Sequence, residues 1–533
     1  MRRPSAPARC TCGSSGRATV GREKARRPDP ADDRAREGGI FMANQSMANQ
    51  EGSGYERLGA AKLSLWDCIA QSVGFIGPVF STAFVFPLLM GVLSASGKGA
   101  GVAAPLAVLI SAVGIFALGW IVAQYAKRIH AAGSLYDYVS NGLGSTIGSA
   151  AGWLYYGGAI ALTVGLGVFI GGFIHDTILT EFNKEPLPVW AWNVIWAVVL
   201  FFVLYLGVKL STRLQLGLAL VSMLVLLAFN IYVIAKVGSG NDLGKAFDPS
   251  GSTTGTLSGV LFGVLYGLLI FVGFETAANL AEETSQPKRQ IPRAVLLSVA
   301  IVSVFYLIGS YTQVAGFHFS LETFSTPDVF LAPVFALGGQ YSSTGTVRLL
   351  ELIVLLDMMA VGIGAAVAST RGVFAMSRDR RLPGMLAKVS ARFGTPAGAI
   401  VFLMVIQAVL IWATQAWTSL FALPDTPHYA AIFGWMSTFG AFALVVVYLM
   451  MSVGALLGLR DHPNRVGLWI AALLGIAVTG GAVYGAFYQV KSPTLLAPMY
   501  AAVLFAIGLV AALLFKGRQP ARIALPELRT HQE

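Results

Sequence analysis

The chain has 533 residues, 55% of them hydrophobic before its 60 glycines are counted, and only 12% charged. Counting glycine brings the apolar share to about 66%, against about 45–50% for a soluble domain, which excludes both a single soluble core and a string of soluble domains. The net charge of +11 lies partly in the first segment and otherwise in short stretches between apolar runs. No basic stripe interleaved with aromatics is present, which argues against a nucleic-acid partner.

In chain order, residues 1–40 are rich in Arg, Pro, Ala, Ser and Asp and hold no apolar run, so no signal peptide is read there. Residues 1–62 carry a net charge of +5 and are expected to be a disordered tail. Met-Ala-Asn-Gln occurs at 42–45 and again at 47–50, which points to Met42 or Met47 as the start and to residues 1–41 as a mis-assigned beginning. Cys10 and Cys12 lie close together and Cys68 stands apart, so neither a disulfide framework nor a zinc site is expected.

Twelve apolar runs follow, at roughly 65–90, 103–126, 146–178, 189–207, 214–237, 257–281, 292–316, 347–376, 397–416, 430–456, 466–488 and 496–516. A hydrocarbon core of about 30 Å takes about 20 helical residues to cross, and each run comes near or exceeds that length. Gly, Ala and Leu dominate, and the alternation of a membrane barrel is missing, so the spans are helices. Residues 63–516 are therefore read as one all-α membrane domain, with 517–533 as a second tail. Placing the N-terminus in the cytoplasm puts fifteen Lys/Arg on inner loops and six on outer ones, so both termini are expected inside.

Two of the runs are interrupted. The first reads Gln71-Ser72-Val73-Gly74-Phe75-Ile76-Gly77-Pro78 and the sixth Phe271-Val272-Gly273-Phe274-Glu275-Thr276. Proline removes a donor and clashes with the preceding turn, and glycine weakens helix continuity. Backbone freed in this way survives in a membrane only where it is buried in protein or lines a polar cavity. Runs 1 and 6 open two successive five-helix units, and matching breaks in two halves point to a binding site near the bilayer midplane.

Phe271-Val-Gly-Phe-Glu-Thr-Ala-Ala with Glu282-Glu-Thr-Ser-Gln-Pro-Lys-Arg-Gln-Ile-Pro-Arg293 resembles the span 6–7 signature of amino acid permeases of the amino acid–polyamine–organocation superfamily. Ala132-Gly-Ser-Leu-Tyr136 with Gly152-Trp153, and Arg371-Gly-Val-Phe-Ala-Met-Ser-Arg378-Asp379 with Leu382-Pro383, are similar to its span 2–3 region and to the segment after span 8. The resemblance covers about residues 60–515. It implies twelve transmembrane helices, a five-plus-five inverted repeat with broken helices 1 and 6 plus two C-terminal helices, and alternating access around a midplane site. The chain departs from the tighter Gly-x-Gly of many members in span 1. Aligned to members that carry a lysine within span 5, it has Ser222 there, which leaves the coupling ion open between protons and sodium.

On that resemblance, the substrate carboxylate is assigned to backbone around Gly74, Phe75, Ile76 and Gly77 with the Ser72 hydroxyl as helper, because the half-helix beginning at Pro78 presents orphan N–H groups. Carbonyls around Phe271, Val272, Gly273 and Phe274 suit the ammonium, and Phe271 and Phe274 form either an aromatic lid or ordinary packed aromatics. Glu275 at the span 6 break and Asp357 near mid-depth of span 8 are intramembrane acids, which default to function. Each is either held protonated or faces a cation, and both are candidates for coupling. The cluster Glu282, Glu283, Lys288, Arg289 and Arg293 is expected to fix topology and gate the inner vestibule.

The leading expectation is a secondary permease for amino acids in the plasma membrane, with the lipid bilayer and a small-molecule amino acid or amine as partners. A polyamine or organic-amine carrier is the alternative in the same class, and a transporter-like nutrient sensor the alternative outside it. Scattered histidines and the lack of a Walker motif or metal-ligand spacing argue against an enzyme, an ATP-driven pump and any cofactor.

Overall fold

The computed structural model describes residues 58, 63–92, 97–326, 329, 332–417, 421, 426–488, 492 and 495–514. The expected tails, 1–62 except Leu58 and 517–533, lie outside the described residues, as do Met42 and Met47. Every extended element among the described residues is helical, apart from one isolated bridge between Leu63 and Thr284. Among the described residues ten helices are long and apolar enough to cross a membrane, and Val189–Tyr205 is a shorter apolar helix. This is a multi-pass all-α membrane protein.

The first run folds as three pieces, α1 (Leu65–Ile76), α2 (Pro78–Phe84) and α3 (Phe86–Met90). Ser64 starts α1 with a capping box, its hydroxyl taking the Asp67 N–H while the Asp67 carboxylate takes the Ser64 N–H. Gly77 ends it at φ 63, a left-handed conformation that glycine adopts without penalty. A Cβ at Gly77 would also overlap the Val361 Cγ2 methyl. The second interruption, at Val85, was not expected from the sequence. Pro87 supplies it, because its ring nitrogen cannot bond the carbonyl one turn back.

Long helices follow: α4 (Ala104–Ala126), the short α5 (Leu135–Leu143), α6 (Ser145–Phe182), α7 (Val189–Tyr205) and α8 (Val208–Val237). The sixth run begins as α9 (Leu257–Gly267) and does not resume as an α-helix. It passes through a 3₁₀ turn at Leu269–Phe271, a loop, and a 3₁₀ helix at Thr276–Glu283. The break is thus longer than the Phe271–Thr276 stretch read from the sequence. Beyond it come α10 (Pro287–Gly316), α11 (Pro333–Tyr341), α12 (Thr344–Arg378), α13 (Ala397–Ala416), α14 (His428–Gly458), α15 (Arg465–Phe487) and α16 (Leu496–Leu514). Several start a turn earlier than their apolar run, as α10 does at Pro287-Lys-Arg, because polar first turns extend beyond the hydrocarbon.

α6 packs along α12, α14 and α16, and α12 packs along α8 and α1, so the interrupted segments are enclosed by long continuous helices. The hydrophobic faces of α13, α15 and α16 are largely exposed, as helices bordering lipid are.

Candidate functional site

The two interruptions meet. The Ser72 hydroxyl on α1 donates to the Phe274 carbonyl at 2.8 Å and accepts the Ala277 N–H at 3.1 Å. One side chain therefore satisfies a carbonyl and an amide freed by the sixth run's break, a requirement for irregular backbone at membrane depth. Thr276 Oγ1 reaches back to the Gln71 carbonyl at 3.3 Å. Gly273 has φ 110, and a Cβ there would press on the Phe75 side chain at 2.9 Å, so this approach requires glycine. Gly74 abuts the Gln215 side chain, and Phe75 and Ile76 are buried.

Phe271 and Phe274 are fully buried and packed edgewise or tilted against Tyr306 and Tyr448. The Tyr306 hydroxyl donates to the Ile270 carbonyl at 2.6 Å, another backbone group released by the break. Val272 is buried beside them.

The two intramembrane acids have different partners. Glu275 is fully buried and accepts two tyrosine hydroxyls, Tyr155 from α6 at 2.6 Å and Tyr448 from α14 at 2.8 Å. Asp357 on α12 accepts the Val79 and Phe80 N–H groups at 2.9 and 2.8 Å, both on the same oxygen. Its other oxygen, Oδ1, is buried without a hydrogen-bond partner. Among the described residues no Lys or Arg pairs with either acid.

Ser222 is buried on α8, and its hydroxyl bonds the Leu218 carbonyl of its own helix. Besides Thr212, whose hydroxyl donates to Asp67 Oδ1 at 3.1 Å, α8 reaches the first run through Gln215. Its amide donates to Gln71 Oε1 at 3.3 Å, and Gln71 in turn donates to the Gly364 carbonyl of α12 at 2.9 Å.

The family model for amino acid permeases matches residues 73–521, most of the chain. The chain belongs to the amino acid permease family. Among its relatives, the branched-chain amino acid permease BcaP of Bacillus subtilis is 25% identical, over 60% of this chain and 70% of its own. The aromatic amino acid transport protein AroP of Corynebacterium glutamicum is 25% identical over 73% and 84%. The vacuolar cationic amino acid transporter 4 of Arabidopsis thaliana is 27% identical over 66% and 58%. These relatives are transporters, and this permease is a membrane transport protein with a small-molecule substrate.

At one end of the permease, ion pairs tie the sixth run to α12. Arg371 grips Glu283 through two bonds of 2.6 and 3.2 Å, with the side chains only 3% and 2% exposed. Arg378 grips Glu282 in the same two-pronged way at 2.9 and 2.8 Å. The sequence reading grouped the two glutamates with Lys288, Arg289 and Arg293, nearby in sequence, and missed the arginines that hold them. Their signal was the seven-residue spacing of Arg371 and Arg378, two turns along one helix face. Tyr155, Tyr448, Gln71 and Gln215 were also missed, and no local pattern marks them.

At the opposite end the seal is aromatic. Phe84 of α2 packs edgewise on Phe169 and Phe173 of α6 and on Phe335 of α11, with centroids 5.3 to 6.1 Å apart. Phe80 packs on Phe169 and on Phe433 of α14. Phe80 also supplies one of the N–H groups held by Asp357, so the seal and the acid share a residue.

Proposed function

We propose that this permease is a secondary active transporter that moves amino acids across the cell membrane by alternating access. Its twelve spans form a five-plus-five inverted repeat, broken in helices 1 and 6, plus two C-terminal helices. Both termini and the ion-paired end face the cytoplasm, in keeping with the distribution of Lys and Arg. The substrate lies where the two breaks meet, flanked by Ser72, the Gly74–Gly77 turn and the Phe271–Phe274 backbone. The observation that carries this reading is the pairing of two irregular backbone segments, stitched by Ser72, with two fully buried acids beside them.

Glu275 is the proton-responsive group in this reading. Ionised, its two oxygens accept both Tyr155 and Tyr448, clasping the broken helix to α6 and α14. A proton on one oxygen turns that acceptor into a donor, so one clasp must rearrange. Ser222, bonded to its own helix, supplies no charge to coupling.

The test is uptake and counterflow in proteoliposomes, with labelled amino acids and amines and imposed proton and sodium gradients. Flux of at least one amino acid is expected, and Glu275→Gln should abolish its dependence on a proton gradient while preserving exchange. No flux of any amino acid would refute the reading. A second reading, a carrier of organic amines, is favoured by the unpartnered oxygen of Asp357.

A further inference from the structure

The start of α2 has no donor left for a ligand. The Gly77 N–H bonds Val73, Pro78 has none, Val79 and Phe80 give theirs to Asp357, and the Ser81 N–H bonds Gly77. The carboxylate that fills this position belongs to the protein, not to a substrate. A substrate carboxylate brought to the same turn would meet a second negative charge in a dry environment, with no N–H left to receive it. Asp357 Oδ1, by contrast, is a buried acceptor with no hydrogen-bond partner, and it needs a donor or a cation. Tyr306, the nearby hydroxyl carrier, already donates to Ile270.

We propose that Asp357 is the resident anion of the substrate site, so that the permease holds its substrate by the ammonium group and accepts amines that lack an α-carboxylate. The proposal rests on the substrate lying at the two breaks, and it changes what the span 1 turn recognises. Specificity then comes from the side chain and the cationic nitrogen. An amine and the amino acid it derives from by loss of carbon dioxide are near-equal ligands.

The experiment uses the full-length protein in proteoliposomes and four pairs of competitors: leucine and isoamylamine, phenylalanine and phenethylamine, lysine and cadaverine, arginine and agmatine. Inhibition of counterflow is read for the wild type and for Asp357→Asn, whose amide oxygen still accepts Val79 and Phe80. For the pair that binds, the wild-type amine should fall within about tenfold of its amino acid, a difference of under about one decade in Kd. In Asp357→Asn the amine should weaken by about tenfold or more while the amino acid weakens less or binds better. An amine more than about a hundredfold weaker than its amino acid in the wild type overturns the inference and leaves the permease reading standing; that arm needs no variant. Equal loss of both in Asp357→Asn also overturns it. If no member of any pair competes, the placement of the substrate at the breaks fails, and the inference fails with it.

Discussion

The two ends of the bundle are closed by opposite chemistries. At the end carrying Glu282 and Glu283, closure rests on two bidentate arginine–carboxylate pairs, one of them almost wholly buried. At the end carrying Phe84 and Phe173 it rests on ring edges against ring faces. Bidentate ion pairs are directional and all-or-none, because a broken pair leaves a desolvated charge. Ring contacts are individually small and tolerate sliding. On the alternating-access cycle proposed above, we expect the ionic end to open in a single cooperative step and the aromatic end by graded rearrangement.

The largest effect should come from Arg371→Ala. It strands Glu283 in a buried position, and removing one partner of such a pair costs about 3–5 kcal/mol. A lower thermal unfolding midpoint in detergent is the readout, and replacing both partners by apolar residues, Arg371→Met with Glu283→Leu, should recover most of it. If the single change leaves the midpoint where it was, the ionic end is held by something else.

Phe169→Ala comes next. It removes a ring that touches Phe80, Phe84, Phe173, Tyr429 and Phe433. About 2 kcal/mol is expected, below the roughly 3–5 of a soluble core, because lipid is itself an apolar reference. Phe169→Leu should cost under about 1.5 kcal/mol. A series Phe, Leu, Ala that steps down evenly in unfolding midpoint supports graded closure; an abrupt loss at Leu contradicts it.

The ionic end should also respond to pH. Asp379, just beyond α12, is held above its ordinary value of 3.8, mainly by burial, although Arg378 and the Tyr136 hydroxyl pull it down. Asp137 in α5, between spans, is raised in the same direction, again mainly by burial. A carboxyl raised on folding binds more protons folded than unfolded. Its contribution is therefore full below about 3.8 and is lost as pH rises towards the raised value. The unfolding midpoint should fall over that interval, and Asp379→Asn should flatten the slope. A wild-type midpoint that climbs through the same interval would contradict the assignment.

The smallest effect belongs to the exposed Arg128–Asp461 pair at 2.7 Å, where Arg128→Ala should cost under about 1 kcal/mol. The hydrogen bond from Arg128 lowers Asp461, so this small term works oppositely and fades as the pH drops. A larger loss would show that ion pairs matter beyond the buried end.

The sequence marked the interruptions because their causes are local: Gly77-Pro78 and Gly273 carry the break in their own chemistry. It marked Glu275 and Asp357 because a charge inside an apolar run stands out. It did not show that Pro87 would split the first run again, although the missing donor was there to be read. What stayed hidden was long-range. Tyr155 and Tyr448 lie 120 and 173 residues from the Glu275 they hold, and Asp357 lies 278 from Val79. Such partners are chosen by packing, and one chain's periodicity carries no record of them. The same gap misdirected the reading of Glu282 and Glu283, which were grouped with cations nearby in sequence when their partners Arg378 and Arg371 lie 96 and 88 residues further on.

The 3₁₀ helix Thr276–Glu283 stores length. Three residues per turn align Asn279 and Glu282, and the two grip one residue from both sides: Asn279 donates to the Ala132 carbonyl at 3.1 Å, and Glu282 accepts the Ala132 N–H at 2.9 Å. Relaxing its eight residues to an α-helix would shorten the segment by about 4 Å and swing Glu282 about 60° relative to Asn279. The grip on Ala132 would then come apart as the segment contracts, so a change of helical pitch and the release of that end are one motion.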